Sequence, residues 1–399
     1  MIKVVALLEQ DPESGGGFYQ GLNAILQMAE LGRDKFEFAV LTTNQKNLAR
    51  MSRFGIAASF TPLHWFDRWL VQNVSSAFWR SLRKRTRWIG PLEKTLLAMR
   101  CDLAYFVSPS PLPAALQTLN YITTVWDLCH REHPEFPEVR CFGELLSREN
   151  MHRTVLPAAF RIISDSKALA DKLVRYYGID RERIVAMPFG PSPILAGAGS
   201  DVAADVLRRF NLEAGYFFYP AHLWAHKNHI RILEAIALLH RQGTYIRVVF
   251  AGGDKGERKH LEASATQLGI ASQTRFLGFV PDNTLAGLYA GCRAVVMPTY
   301  FGPTNLPPLE AWANGRPLVY SRHLTEQAGD AALLVDPDDA KSLADAMQQL
   351  LDDTVAKRLV ARGRERLAII SAQRSVAASD LSEALQLFAL RRSCWATIL

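Results

Sequence analysis

Short apolar runs recur along the chain, each followed by a polar or glycine-bearing loop and then by residues of helical periodicity. In the first half the runs fall at 4–8, 38–42, 103–107, 122–125 and 162–164. In the second half they fall at 216–219, 247–251, 275–276, 294–297 and 318–320. Such runs, bounded by turn residues, read as strands buried on both faces. Strands alternating with helices predict an α/β fold built on parallel sheets. Helices are expected at 19–31, at 230–239, from Pro307 to Asn314, and at 374–392. No repeat of solenoid length and no low-complexity tract breaks the alternation. One stretch does: between Pro188 and Ser200 three prolines and three glycines mark a linker. It predicts two doubly wound domains, at about 1–190 and 213–370. Ligands of such sheets bind beyond the carboxyl ends of the strands.

Composition narrows the class. A chain of 399 residues holds two cores, and 49% hydrophobic with 21% charged residues describes a soluble globular protein. No apolar stretch reaches the roughly 18–20 residues that span a bilayer. The opening apolar run meets Glu9 and Asp11 at once, so it reads as a first strand rather than a signal peptide. Five scattered cysteines without a C-x-x-C pair argue against a disulfide framework and for a reducing cytoplasm. Cys129, His130 and His133 lack the spacing of a zinc site, and no metal site is expected. The net charge of +7 is unevenly placed. Arg80, Arg83, Lys84, Arg85 and Arg87 interleave with Phe78, Trp79, Leu82 and Trp88, just after His64-Trp65-Phe66 and Arg68-Trp69-Leu70. Cations with aromatic rings on one helix suit an anionic membrane surface, and a solvated basic helix with its rings on the core has the same letters. No nucleic-acid motif accompanies the charge, so nucleic acid is not an expected partner.

The candidate chemistry lies at strand-to-helix junctions. After the run 294–297 come Pro298-Thr-Tyr-Phe-Gly-Pro-Thr-Asn-Leu-Pro-Pro-Leu-Glu310. Pro307 and Pro308 suit the first turn of a helix, whose free N–H groups at Thr304–Leu306 favour an anion such as a diphosphate. Glu310 is expected in that first turn, within reach of hydroxyls on the phosphate carrier. An ordinary strand-to-helix turn fits the same letters. Lys227 follows the run 216–219 at the mouth of a second helix, where an ammonium reaches a phosphate oxygen or stands as a surface lysine. Gly252 and Gly253 follow the run 247–251 and read as a tight turn of positive φ. Phe279 and Val280 follow the run near 276. Gly16 and Gly17 lie between the first strand and its helix, a weak signal alone. Asp127 ends the run 122–125, as a proton acceptor or as a helix cap.

The segment 298–310 resembles the signature of retaining glycosyltransferases of family 4, which have the GT-B architecture. That signature has two glutamates seven residues apart, the second within Pro-Pro-Leu-Glu-Ala. Glu310 matches the second, and Gly302 stands in place of the first. The resemblance implies two Rossmann-like domains facing across a cleft, with the terminal stretch at about 374–399 returning to the first. It implies a nucleoside-diphosphate-sugar donor and a carbohydrate acceptor, with no cofactor and no metal. Lys227 matches the family's phosphate-binding lysine, and His222 occupies the position of its arginine. Gly252, Phe279 and Val280 fall in loops beside the nucleotide, and Gly16 and Gly17 in the loop that closes over the diphosphate. Asp127 matches the aspartate of a His-Asp pair, and Trp126 replaces the histidine. The roles implied are catalytic for Asp127, Lys227 and Glu310. Donor binding falls to Gly16, Gly17, His222, Lys227, Gly252, Phe279, Val280, Pro303, Thr304, Asn305, Leu306 and Glu310. The donor leans to GDP-linked mannose and the acceptor to a lipid-linked bacterial polysaccharide, with the enzyme peripheral on the inner face of the cytoplasmic membrane. An epimerase or hydrolase of the same fold, or a non-catalytic nucleotide-sugar-binding partner, are the alternatives.

Overall fold

A computed structural model of the protein describes residues 1–33, 35–73, 88–192, 200–302 and 304–395. The chain forms two compact units. Met1–Arg131, Phe142–Phe189 and Gln373–Leu399 make the first; Glu132–Cys141 and Gly190–Ala372 make the second.

The first unit holds seven strands: β1 (Lys3–Leu8), β2 (Glu37–Thr42), β3 (Ala58–Phe60), β4 (Leu103–Phe106), β5 (Asn120–Val125), β6 (Arg161–Ser164) and β7 (Ile184–Ala186). Their order is β3-β2-β1-β4-β5-β6-β7, parallel throughout. Val4 to Leu8 have no exposed surface, because helices cover both faces of the central strands. The order reverses between β1 and β4, where Leu7 lies opposite Phe106. At such a switch point the loops part and leave a crevice at the carboxyl edge.

The second unit holds β8 (Phe217–Pro220), β9 (Val248–Ala251), β10 (Thr274–Phe276), β11 (Ala294–Met297), β12 (Leu318–Ser321) and β13 (Leu333–Val335). The order β10-β9-β8-β11-β12-β13 is again parallel, with its reversal between β8 and β11. Both units are therefore doubly wound α/β sheets, as the apolar runs predict. Three strands escape that pattern: β3, β7 and β13. Each is three residues long and lies at a sheet edge.

One segment crosses the expected domain ranges, and the terminal helix returns to the first unit as expected. Residues 132–141 belong to the second unit, although the chain on both sides belongs to the first. The Glu138 carboxylate accepts the backbone N–H of His226 at 2.9 Å and pairs with its ring Nδ1. Phe136 and His133 pack their rings on Phe301, at 5.5 and 5.6 Å. The terminal helix runs unbroken over Asp353–Arg392, and from Gln373 it belongs to the first unit. There the Phe388 ring meets Phe160 at 4.9 Å, and the Arg392 Nε donates to Asp102 at 3.0 Å.

The basic residues 80–87 and the linker residues 193–199 lie outside the described residues. Trp88 is described: it is exposed and meets Phe66 at 4.6 Å. Among the described residues no helix is long and apolar enough to cross a membrane.

Candidate functional site

In the second unit the sequence-selected residues gather at the carboxyl edge, where β8 and β11 part. After β8 the chain makes a 3-10 turn at Ala225–Lys227, takes a left-handed step at Asn228 (φ 60°), and enters the helix His229–Arg241. Asn228 is buried, and its amide donates to Pro298 O at 3.0 Å and Pro337 O at 2.8 Å. The Tyr219 hydroxyl donates to Lys227 O at 3.0 Å. These bonds fix the lysine backbone, and the Lys227 Nζ donates to Asn305 Oδ1 at 3.2 Å.

Asn305 is the hub of the loop after β11. It caps the helix Leu306–Ala313 with extended backbone. Its N–H donates to Gln327 Oε1 at 2.9 Å, and its carbonyl accepts Gln327 Nε2 at 2.6 Å. Its Nδ2 donates to Gly302 O and to the Tyr320 hydroxyl, both at 2.8 Å. Every donor of Asn305 is thus used within the protein. It holds Lys227 and the loop in place, and it offers no N–H to a phosphate, contrary to the sequence expectation. Gly302 explains itself in the same geometry. Its φ is 103°, and a β-carbon there would stand 2.9 Å from Asn305 Oδ1. A glutamate at this position meets both a strained backbone and the amide that holds Lys227. Thr304 and Leu306 flank the hub at the helix mouth, and Pro303 lies outside the described residues.

Glu310 stands in the second turn of that helix, not the first, because the helix begins at Leu306. It is 5% exposed, and the Tyr289 hydroxyl donates to its Oε2 at 2.6 Å. Burial pushes its carboxyl up to about 7, with Tyr289 opposing and the charge of Asp282 assisting. Its Oε1 makes no hydrogen bond among the described residues.

Three neighbouring loops are stitched together. Leu223 N–H donates to Gly253 O at 3.1 Å and Gly252 N–H to Gly278 O at 2.8 Å. Gly253 N–H donates to His222 Nδ1 at 2.9 Å, which leaves the proton of a neutral His222 on Nε2. Gly252 is required by close approach: a β-carbon would fall 2.0 Å from Ala221 O. Neither Gly252 nor Gly253 has the positive φ expected of them. Phe279 is half exposed at the end of the β10 loop, and Val280 is buried beneath it.

In the first unit Gly16 and Gly17 are the first residues of the helix Gly16–Gly32 rather than a loop before it. A β-carbon on Gly17 would stand 3.4 Å from Trp126, so the indole lies over the helix end. Asp127 Oδ1 accepts Cys129 N–H at 3.1 Å and lies 3.6 Å from Arg148. Burial acts to raise this carboxyl, but Arg148 and the bonds from Cys129 outweigh it and hold it below the usual range. Asp127 is therefore a fixed anion and a weak base. His130 is buried against Glu149 (3.2 Å) and Tyr177 (3.1 Å), a structural place. Sequence reasoning did not find Tyr289, Gln327, Tyr320 or Glu138. They reach the site from distant elements, and no local motif marks them.

Residues 208–366 match the family described as glycosyl transferases group 1. The chain is 28% identical over 263 residues to O-antigen chain mannosyltransferase B of Escherichia coli, covering 65% of this chain and 67% of that protein. It is 30% identical over 220 residues to D-inositol 3-phosphate glycosyltransferase of Corynebacterium kroppenstedtii, covering 52% of this chain and 49% of that one. The chain spans about half the length of that second relative. Among solved structures, Anabaena Alr3699/HepE in complex with UDP and glucose superposes with a TM-score of 0.70 at 18% identity, over 96% of this chain and 99% of that one.

Proposed function

We propose that the chain is a glycosyltransferase of the group 1 family, a reading supported by the match over residues 208–366 and by the likeness in fold to a UDP- and glucose-bound structure, and that it transfers a mannose-type sugar from a GDP-linked donor to a carbohydrate acceptor. The transfer retains the configuration at the anomeric carbon and uses no metal ion. The acceptor is a lipid-linked glycan of O-antigen or other lipopolysaccharide synthesis, a reading supported by the name of the Escherichia coli relative.

One observation carries the reading: Lys227, at the switch point of the second sheet, has its ammonium aimed by Asn305. Negative charge develops on the departing diphosphate, and a fixed cation there lowers the barrier. His222 adds one hydrogen bond through Nε2, where an arginine would add a fork. The N-terminus of the helix Leu306–Ala313 favours the same charge. Glu310 Oε1 takes a donor hydroxyl, and the exposed ring of Phe279 lies against the base. Asp127, held ionised by Arg148, orients an acceptor hydroxyl rather than storing its proton. The basic aromatic residues 78–88 keep the enzyme on the inner face of the cytoplasmic membrane, beside a lipid-linked acceptor.

The test is GDP release from GDP-mannose by the full chain, with and without a mannose-terminated glycolipid. Acceptor-dependent release is expected. Release without acceptor would indicate a hydrolase or epimerase, and no turnover of any sugar nucleotide a binding partner.

A further inference from the structure

Glu9 is the residue that the chemistry above leaves unused. It follows β1 directly, at the switch point of the first sheet. Leu7 pairs with Phe106, so continuing the register by two residues sets Glu9 opposite Ser108. On the other side β4 pairs with β5, with Tyr105 opposite Ile122. The same continuation sets Val125 opposite Ser108 and brings Trp126 to the same edge. Glu9, Ser108 and Trp126 thus share the carboxyl edge of three adjacent central strands.

Two polar atoms there are unsatisfied. Glu9 Oε1 is shut away from solvent with no hydrogen-bond partner among the described residues. Ser108 is 1% exposed, and its Oγ also has no hydrogen-bond partner among the described residues. Ser110 bonds the Glu9 carboxyl, and burial raises that carboxyl to about 7. A buried acceptor without a donor costs stability, and native proteins keep few. Two such atoms at a crevice are explained when a ligand supplies the missing partners. An anionic ligand is disfavoured by the carboxyl. Among the described residues no cluster of His, Cys, Asp or Glu is arranged to hold a metal ion. Sugar hydroxyls both donate and accept, which suits Glu9 Oε1 and Ser108 Oγ together. Trp126 is partly exposed beside Gln10 and Gly17 and adds an apolar face for a pyranose ring.

We propose that Glu9 and Ser108 form a hydroxyl-binding subsite for the glycan acceptor at the carboxyl edge of the first sheet. The proposal rests on the glycosyl-transfer reading for its ligand class. Glu9→Leu and Ser108→Ala remove the two atoms independently, and Glu9→Gln keeps one acceptor oxygen.

With GDP-mannose as donor and octyl α-mannoside as acceptor probe, Glu9→Leu is expected to raise the acceptor KM about ten- to hundredfold. Ser108→Ala raises it less, Glu9→Gln recovers part of the loss, and the donor KM stays within about twofold. Without ligands, Glu9→Leu melts no lower than wild type, since it removes an unsatisfied buried atom. Saturation-transfer NMR of octyl α-mannoside with the full-length protein reads contact without turnover. Signal with wild type that is lost in Glu9→Leu supports the subsite even where GDP-mannose proves the wrong donor. No signal with wild type overturns the subsite. So does an acceptor KM within about threefold of wild type in Glu9→Leu and Ser108→Ala. A donor KM that rises in step, with a lower melting temperature, would make Glu9 a structural residue and overturn it equally.

Discussion

Replacing Glu310 by glutamine should change how stability depends on pH. The Glu310 carboxyl is 5% exposed, and burial raises it from 4.5 to about 7. Its folded-state value lies above its unfolded one, so the folded protein binds this proton more tightly. The stabilisation is complete below about pH 4.5 and is lost as pH rises through 7. A shift of that size corresponds to on the order of 3 kcal/mol. Glutamine is neutral at every pH and still accepts from the Tyr289 hydroxyl. The variant should match wild type near pH 4.5 and exceed it near pH 8. In a unit of this size about 3 kcal/mol shifts the melting temperature by roughly 6–12 °C. Scanning calorimetry of the full chain at pH 5, 6, 7 and 8 measures the difference between the two proteins. A difference that stays flat within about 2 °C would refute the reasoning and show that Glu310 is ionised in the folded protein.

Four further outcomes are expected. Lys227→Ala should lower turnover by about 10²–10³, and steady-state kinetics showing less than a tenfold change would remove Lys227 from the phosphate site. Gly302→Glu, which restores the family residue, should cost about 1–3 kcal/mol because of its φ of 103° and the contact with Asn305; an unchanged melting temperature would show that the loop relaxes. If Lys227 and His222 supply the charge and the donor at the diphosphate, as proposed, activity should survive exhaustive chelation with EDTA; loss restored by magnesium or manganese would contradict this. Changing Arg80, Arg83, Lys84, Arg85 and Arg87 to serine should abolish salt-sensitive flotation with anionic vesicles, and equal flotation of both proteins would assign these residues to another surface.

The central strands were legible because burial on both faces leaves an unbroken apolar run, as in Ala294–Met297. The edge strands were less so: Ala58–Phe60 is largely exposed and carries no such run, and Leu333–Val335 is apolar but only three residues long and partly exposed. At the site, Pro307 and Pro308 announced the helix start within a residue or two. What holds Lys227 was hidden. Asn305 is pinned by Gln327, 22 residues further on, and His226 by Glu138, 88 residues earlier. Gly252 shows the same limit. Its letter suggests a turn, and its true reason is the Ala221 carbonyl, just past β8, lying 2.0 Å from where a β-carbon would be.

The first unit is assembled from residues that lie on both sides of the second along the chain. A ribosome therefore delivers residues 1–189 and then must translate 190–372 before the closing helix emerges. At about 5–20 residues per second that interval lasts roughly ten to forty seconds. Throughout it the nascent first unit lacks Leu381, Leu385 and Phe388, which are buried in the finished fold. The surface around Phe160 that Phe388 covers stays bare for that time. The second unit has all its own strands before then, so the unit translated first is the one completed last. Ribosome-bound chains arrested before residue 373 should recruit chaperones through the first unit, and release from them should coincide with synthesis of the last helix.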